Sequence, residues 1–89
     1  MTELAFSERF FDDMEGVELE SKQDEIMDAI GLLPTVPEMG SRRVPESIER
    51  EFGTSVRKLV VSPFLVVYEI MEDGALLYVH GLVHQRQAK

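Results

Sequence analysis

The run Phe64-Leu65-Val66-Val67-Tyr68-Glu69-Ile70-Met71 constrains this chain more than any other segment. Turn formers bracket it, Ser62-Pro63 before and Glu72-Asp73-Gly74 after, which predicts a strand. A half-exposed strand alternates apolar and polar residues. This one is apolar almost throughout, so it belongs at a central position with both faces largely covered. A chain of 89 residues holds one small domain, 1–89, with no room for a second.

The neighbours of that strand are readable on either side. Val56-Arg57-Lys58-Leu59-Val60-Val61 reads as the strand before it. Ala75 to about His84 reads as the strand after it, reached through the Glu72-Asp73-Gly74 hairpin turn. Residues 2–7 alternate weakly and read as one further short strand, which must join the same sheet to satisfy its backbone.

Helical spacing dominates the remainder. Ser7 is placed as an N-cap for a helix carrying Phe10, Phe11 and Met14 and ending at Gly16. Leu19, Ile26, Met27, Ile30 and Leu33 predict a second helix, with Ser21 to Asp24 as its capping box and Pro34 and Pro37 as its stop. Pro45 and Gly53 bracket a short helical excursion at about 45–52, in which Glu46 can pair with Arg50. The expected fold class is α+β: a small β-α-α-β-β-β domain whose antiparallel sheet has the helical pair packed on one face.

Charge is uneven. Residues 1–40 hold 11 acids against Arg9 and Lys22, whereas residues 41–89 hold 6 acids against 7 bases, and the whole chain carries −8. An acidic surface repels phosphate, which argues against non-specific nucleic-acid binding and leaves room for a local basic site in the C-terminal half. The acids also read simply as solvated helical faces. With no cysteine, disulfide scaffolds and Cys-based zinc sites drop out, and a reducing, cytoplasmic compartment fits best. The start has neither a basic region nor an apolar run, so no signal peptide is expected. The longest apolar tract, broken at Ser62-Pro63, falls short of the roughly 20 residues that span a bilayer, so no membrane association is expected.

Chemical motifs are sparse. No Gly-rich phosphate loop and no Ser nucleophile elbow occurs. His80 and His84 would stand about 13 Å apart on a strand, too far to share a metal. No metal or other cofactor is expected. The end of the last strand holds the one constellation with chemical content. By strict alternation Tyr78, His80, Leu82, His84 and Arg86 share one face, while Leu77, Val79, Gly81 and Val83 share the helix-covered face. His84 suits proton transfer near neutrality, Arg86 suits phosphate, and Lys58 could project onto the same surface from the neighbouring strand. A His and an Arg near a chain end also read as plain surface residues. His80 reads as a half-buried structural histidine, and Tyr68 as core. The face away from the helices would show Leu65, Val67, Leu76, Tyr78 and Leu82, more apolar surface than a small monomer leaves in water. Either a partner chain or a homodimer is expected to cover it.

The order of these pieces resembles the RelE/ParE superfamily of bacterial type II toxins. The likeness is carried by Leu32-Leu33-Pro34, Pro37-Glu38-Met39-Gly40, Val56-Arg57-Lys58-Leu59, the strand Phe64 to Ile70 and the ending Leu82-Val83-His84-Gln85-Arg86. The resemblance implies a growth-inhibiting toxin neutralised by a cognate antitoxin protein. RelE-like members cleave mRNA on the ribosome without a metal. ParE-like members inhibit DNA gyrase without catalysis. A third reading is an inactive interaction domain. Carried onto this chain, the catalytic candidates are His84, Arg86 and Lys58. Two departures stand out: Leu65 occupies a position where many ribonuclease members have Arg, and no Tyr or His follows Arg86. The His-x-Arg ending is shared with ParE-like members, so it does not decide between the activities.

Overall fold

A computed structural model describes residues 2–89. Strand β1 (Glu3–Phe6) leads into helices α1 (Glu8–Glu15) and α2 (Glu20–Gly31), a 3₁₀ turn at Pro37–Met39, and helix α3 (Glu46–Phe52). Strands β2 (Val56–Val61), β3 (Phe64–Met71) and β4 (Leu76–His84) follow, and a 3₁₀ turn at Gln85–Gln87 ends the chain. The α+β class and the order of elements are those expected. The sheet order is β1-β4-β3-β2, so β3 does lie inside the sheet. β2, β3 and β4 form the antiparallel meander, but β1 pairs with β4 in parallel, making the sheet mixed. Three helices and the β2–β3 hairpin separate β1 from β4, and that long excursion can return the chain to β1 in either direction. Alternation alone carries no information about which.

Local chemistry explains α1. Ser7 accepts a hydrogen bond from the Phe10 amide at 3.1 Å and donates to the His80 carbonyl at 2.6 Å, so one hydroxyl caps the helix and ties it to β4. α2 departs from expectation at its start. It begins at Glu20 after Leu19, with no side-chain cap, and Ser21 and Asp24 do not form a capping box. Instead Gln23 reaches back to the carbonyls of Met14 and Val17 at 3.2 and 2.8 Å and holds the α1–α2 turn closed. The buried stripe of α2 is Ile26, Ile30 and Leu33. Leu19, 67% exposed, and Met27, 41% exposed, are not part of it. Leu19 precedes the first turn, and Met27 stands about 100° around the helix from Ile26.

Both sheet faces are covered. Ile26, Ile30, Leu33 and Phe10 pack with Leu59, Val66, Tyr68, Leu77, Val79 and Leu82 on one side. On the other, Ile48 of α3, flanked by Val44, Phe52 and Ala88, packs with Val56, Leu65, Val67 and Val83. The face expected to lie bare is thus closed by the chain's own third helix. Leu65 and Val67 are buried without any partner chain, which removes the argument that a second molecule must cover them. α3 is held by three side-chain links. Arg9 bonds Glu51 at 2.5 Å and lies over the Phe52 ring at 4.6 Å, and Ser47 accepts from the Lys89 amide at 3.0 Å.

Candidate functional site at the end of β4

β4 does not alternate strictly. Val67 pairs with Gly81 and Tyr68 with Val79, so His80 is an extra residue, a β-bulge. A bulge shifts every later residue to the opposite face. Tyr78 and His80 lie on the face away from α1–α2, as expected, though α3 packs there; Leu82 and His84 face the α1–α2 side and Val83 faces α3. The expected sharing of one face by Tyr78, His80, Leu82, His84 and Arg86 is therefore corrected. The bulge is built in by its neighbours: Ser7 accommodates the His80 carbonyl and Asp13 Oδ2 accepts from the Leu82 amide at 2.9 Å. A Cβ on Gly81 would stand 3.1 Å from Asp13 Oδ2 and 3.3 Å from Phe52, which explains a glycine at this approach.

His84 lines a cavity of about 340 Å³ at the α1–α2 turn, together with Val17, Leu19, Lys22, Pro63 and Phe64. Its ring meets Phe64 edge-on at 5.3 Å, and its Nδ1 accepts the Arg86 amide at 3.1 Å. With Nδ1 accepting, the neutral ring carries its proton on Nε2. In this arrangement His84 is a hydrogen-bond donor through Nε2 and has no free lone pair for abstracting a proton. Arg86 lies in the terminal 3₁₀ turn with its side chain exposed.

Lys58 is elsewhere. It pairs with Val67 on β2, on the α3 side of the sheet, whereas His84 is on the other side. Val67 in turn pairs with Gly81. At sheet spacing Lys58 is about 10 Å across from Gly81, and His84 is roughly 10 Å further along β4. The structure sets the Arg86 backbone amide on His84 Nδ1 and puts Lys58 on the opposite sheet face from His84.

The Pro37-x-x-Gly40 segment has a clear role. Its loop docks on Tyr68, whose hydroxyl donates to the Pro37 carbonyl at 2.7 Å and accepts from the Gly40 amide at 2.9 Å. Burial raises the Tyr68 phenol above its ordinary value, and the Gly40 amide partly counters this. A Cβ at Gly40 would lie 2.6 Å from both the Lys58 carbonyl and the Tyr68 hydroxyl. Next to this loop Ser41 exchanges two backbone hydrogen bonds of 2.9 Å with Lys58, on the outer edge of β2.

Two groups were not singled out from the sequence. One is the Glu69–His80 pair, 2.9 Å apart across β3 and β4 and flanked by the rings of Tyr78 and Phe52. Alternation already puts both on the face that α3 covers; what residue order does not announce is the β3–β4 register and the docking of Phe52 beside them. The other is Arg42-Arg43, a plain dipeptide signal, brought beside Arg57-Lys58 by the Ser41 bridge. Among the described residues no group of His, Cys, Asp and Glu is arranged to hold a metal ion. No helix among them is long and apolar enough to cross a membrane.

No protein-family model matches the chain, and no curated protein matches it in sequence. Solved structures do match in shape. The isolated E. coli RelE toxin superposes with a TM-score of 0.67 at 15% identity, over 94% of this chain and 84% of that one. RelE in the intact E. coli RelBE toxin–antitoxin complex gives 0.65 at 16% identity, over 94% and 96%. A variant of E. coli RelE in which two arginines are replaced by alanine, bound to an antitoxin peptide, gives 0.62 at 16% identity, over 91% and 80%. The chain has a RelE-like fold. Within this fold His84 and Lys58 lie on opposite faces of the sheet.

Proposed function

We propose that this chain is the toxin of a type II toxin–antitoxin pair, kept inactive by a cognate antitoxin, and that it acts on mRNA at the ribosome. The observation that carries the toxin reading is the RelE-like fold over nearly the whole chain, matched both in the free toxin and in antitoxin-bound complexes. The acidic α1–α2 side favours an antitoxin segment with Lys or Arg beside its apolar anchors. In the cleavage reading Arg86 and Lys58 stabilise phosphate charge, and His84 moves a proton. That last role requires the Arg86 amide to leave Nδ1, so the terminal turn must open when substrate binds.

The same hydrogen bond favours a second reading, a non-catalytic inhibitor of DNA gyrase. A histidine engaged at Nδ1 and a lysine on the opposite sheet face suit contact better than catalysis. Induced expression with pulse labelling separates the two. The first reading expects prompt loss of protein synthesis with mRNA cut within codons, and rescue by the adjacent open reading frame. Loss of DNA synthesis first would replace it with the gyrase reading, and absence of any growth arrest would reject both.

A further inference from the structure

Residues 84–89 form a strap around one end of the sheet. His84, at its start, lines the cavity on the α1–α2 side. Ala88, near its far end, packs on the α3 side with the cluster of Ile48, Leu65 and Val83. The strap thus passes from one sheet face to the other, with the exposed Arg86 side chain midway. Residues beyond a last strand order only where something ties them down. Two ties do so here. The Gln85 amide donates to the Pro63 carbonyl at 2.8 Å. At the far end Ser47 and Lys89 exchange two bonds. The Ser47 amide donates to the Lys89 carbonyl at 2.9 Å, and the Ser47 hydroxyl accepts from the Lys89 amide at 3.0 Å.

Helix α3 and the strap hold each other. The first amides of a helix have no partner inside it. α3 has Pro45 at its N-cap and no side-chain cap, so the Lys89 carbonyl supplies a partner that the helix lacks. Between the two ties the Arg86 amide rests on His84 Nδ1 at 3.1 Å, and the Ala88 amide donates to the Gln85 carbonyl at 3.3 Å. While the first of these bonds is made, the Nδ1 lone pair is occupied. We infer that Ser47 is a positioning residue for His84: its clasp on Lys89 holds the strap closed, and the strap holds the Arg86 amide on Nδ1. Loss of the clasp releases residues 86–89 as one unit, hinged at Gln85, whose tie to Pro63 lies before the turn. His84 then regains its Nδ1 lone pair, and Arg86 gains the freedom to follow a phosphate. Ser47 touches no substrate in this scheme and acts through Lys89. The consequence for cleavage rests on RNA as the target in the proposed function.

The test is solvent exchange of backbone amides, followed by NMR on the full ¹⁵N-labelled chain, in wild type, Ser47→Ala and Ser47→Thr. Ser47→Ala keeps the amide and removes only the hydroxyl that accepts from Lys89. Exchange at Arg86, Ala88 and Lys89 should quicken together, on the order of fivefold, the factor carried by one net hydrogen bond of ordinary strength. Gln85 and Leu82 should keep their wild-type rates, and Ser47→Thr, which retains a hydroxyl, should restore the rest. The ring nitrogen shifts of His84 should move toward those of a free imidazole in Ser47→Ala, while His80, bonded to Glu69, stays unmoved. Three outcomes overturn the inference: quickening confined to Lys89, equal quickening at Leu82, or an unmoved His84 ring. Cleavage of mRNA in a cell-free translation reaction is scored beside the spectra, and Ser47→Ala should cleave several-fold faster than wild type. Unchanged or slower cleavage with the strap released would overturn the link from Ser47 to His84 chemistry. Coupled release without any cleavage by wild type would sink the RNA reading and leave the strap standing, whereas cleavage with Arg86 and His84 unmoved in Ser47→Ala would do the reverse.

Discussion

The Asp13 carboxylate accepts a hydrogen bond from the Leu82 amide at 2.9 Å, and this contact fixes the point at which β4 exchanges its faces. β1 stops pairing at Phe6–Val79, so the edge of β4 beyond it has no strand to bond. Ser7 and Asp13, at the two ends of one turn and a half of α1, take up the bulge there. Everything after His80, including His84, is oriented by that arrangement.

Asp13→Ala should therefore destabilise the fold by about 1–3 kcal/mol, because the part-buried Leu82 amide loses its acceptor. The Arg9–Asp13 ion pair, 3.5 Å apart and solvated, contributes little to that figure. Urea denaturation measures the loss, and amide exchange should quicken first at Leu82. Equal protection of Leu82 in variant and wild type would mean that the carboxylate does not hold the bulge.

Tyr68→Phe leaves the Gly40 amide and the Pro37 carbonyl without their shared hydroxyl, and should cost about 1–3 kcal/mol. The pH dependence follows from the raised phenol. A group whose value is raised on folding contributes stability that is intact below its unfolded value, near 10. That stability is lost as pH climbs through the higher folded value. Wild type should thus weaken above about pH 10, and Tyr68→Phe should show less of that alkaline loss. Parallel alkaline curves for the two proteins would contradict the assignment.

Two glycines with opposite surroundings give a paired check on packing. Gly40→Ala drives a methyl to 2.6 Å from the Lys58 carbonyl and should destabilise by about 1–3 kcal/mol, loosening the loop that carries Arg42. Gly31, the last residue of α2, has nothing within 4 Å of a Cβ. Gly31→Ala should stabilise by about 0.5 kcal/mol through the unfolded chain. Thermal melts of the two variants should move in opposite directions.

Much of this fold was legible in residue order. The apolar run of β3 placed it inside the sheet, the Ser62-Pro63 and Glu72–Gly74 turns delimited the meander, and Ser7 and Gly16 bounded α1. Three features were not legible, each for a physical reason. The direction of β1 depends on how a long connection returns, which periodicity does not encode. The cover of the second face by α3 depends on where a seven-residue helix docks, and its Ile48 and Phe52 fit either face. The bulge at His80 is set by Ser7 and Asp13, more than sixty residues earlier in the chain. Strict alternation from Tyr78 onward therefore put His84 on the wrong side and joined it to Lys58. His84 and Arg86 both follow the bulge, and the Arg86 backbone amide bonds the His84 ring.

The final prediction concerns these two residues. If the chain cleaves mRNA, His84→Ala and Arg86→Ala should each lower cleavage on the order of 10²-fold, the scale of a lost general acid–base or charge-stabilising group. Their effects on stability should differ. His84→Ala gives up an edge-on contact with Phe64 and should cost about 1 kcal/mol, whereas the exposed Arg86 side chain should cost almost nothing. Arg86→Lys is the sharper variant: it keeps the backbone amide on His84 Nδ1 and the charge, and removes only the planar fork. Phosphate stabilisation by Arg86 predicts that Lys restores part of the activity lost in Ala. A role only in seating the terminal turn predicts that Ala and Lys behave alike. Primer extension on mRNA from a cell-free translation reaction reads cleavage directly, and a supercoiling assay with purified gyrase runs beside it. Undiminished cleavage by both alanine variants would remove the pair from the mechanism. Inhibition confined to the supercoiling assay would assign the fold to the non-catalytic activity instead.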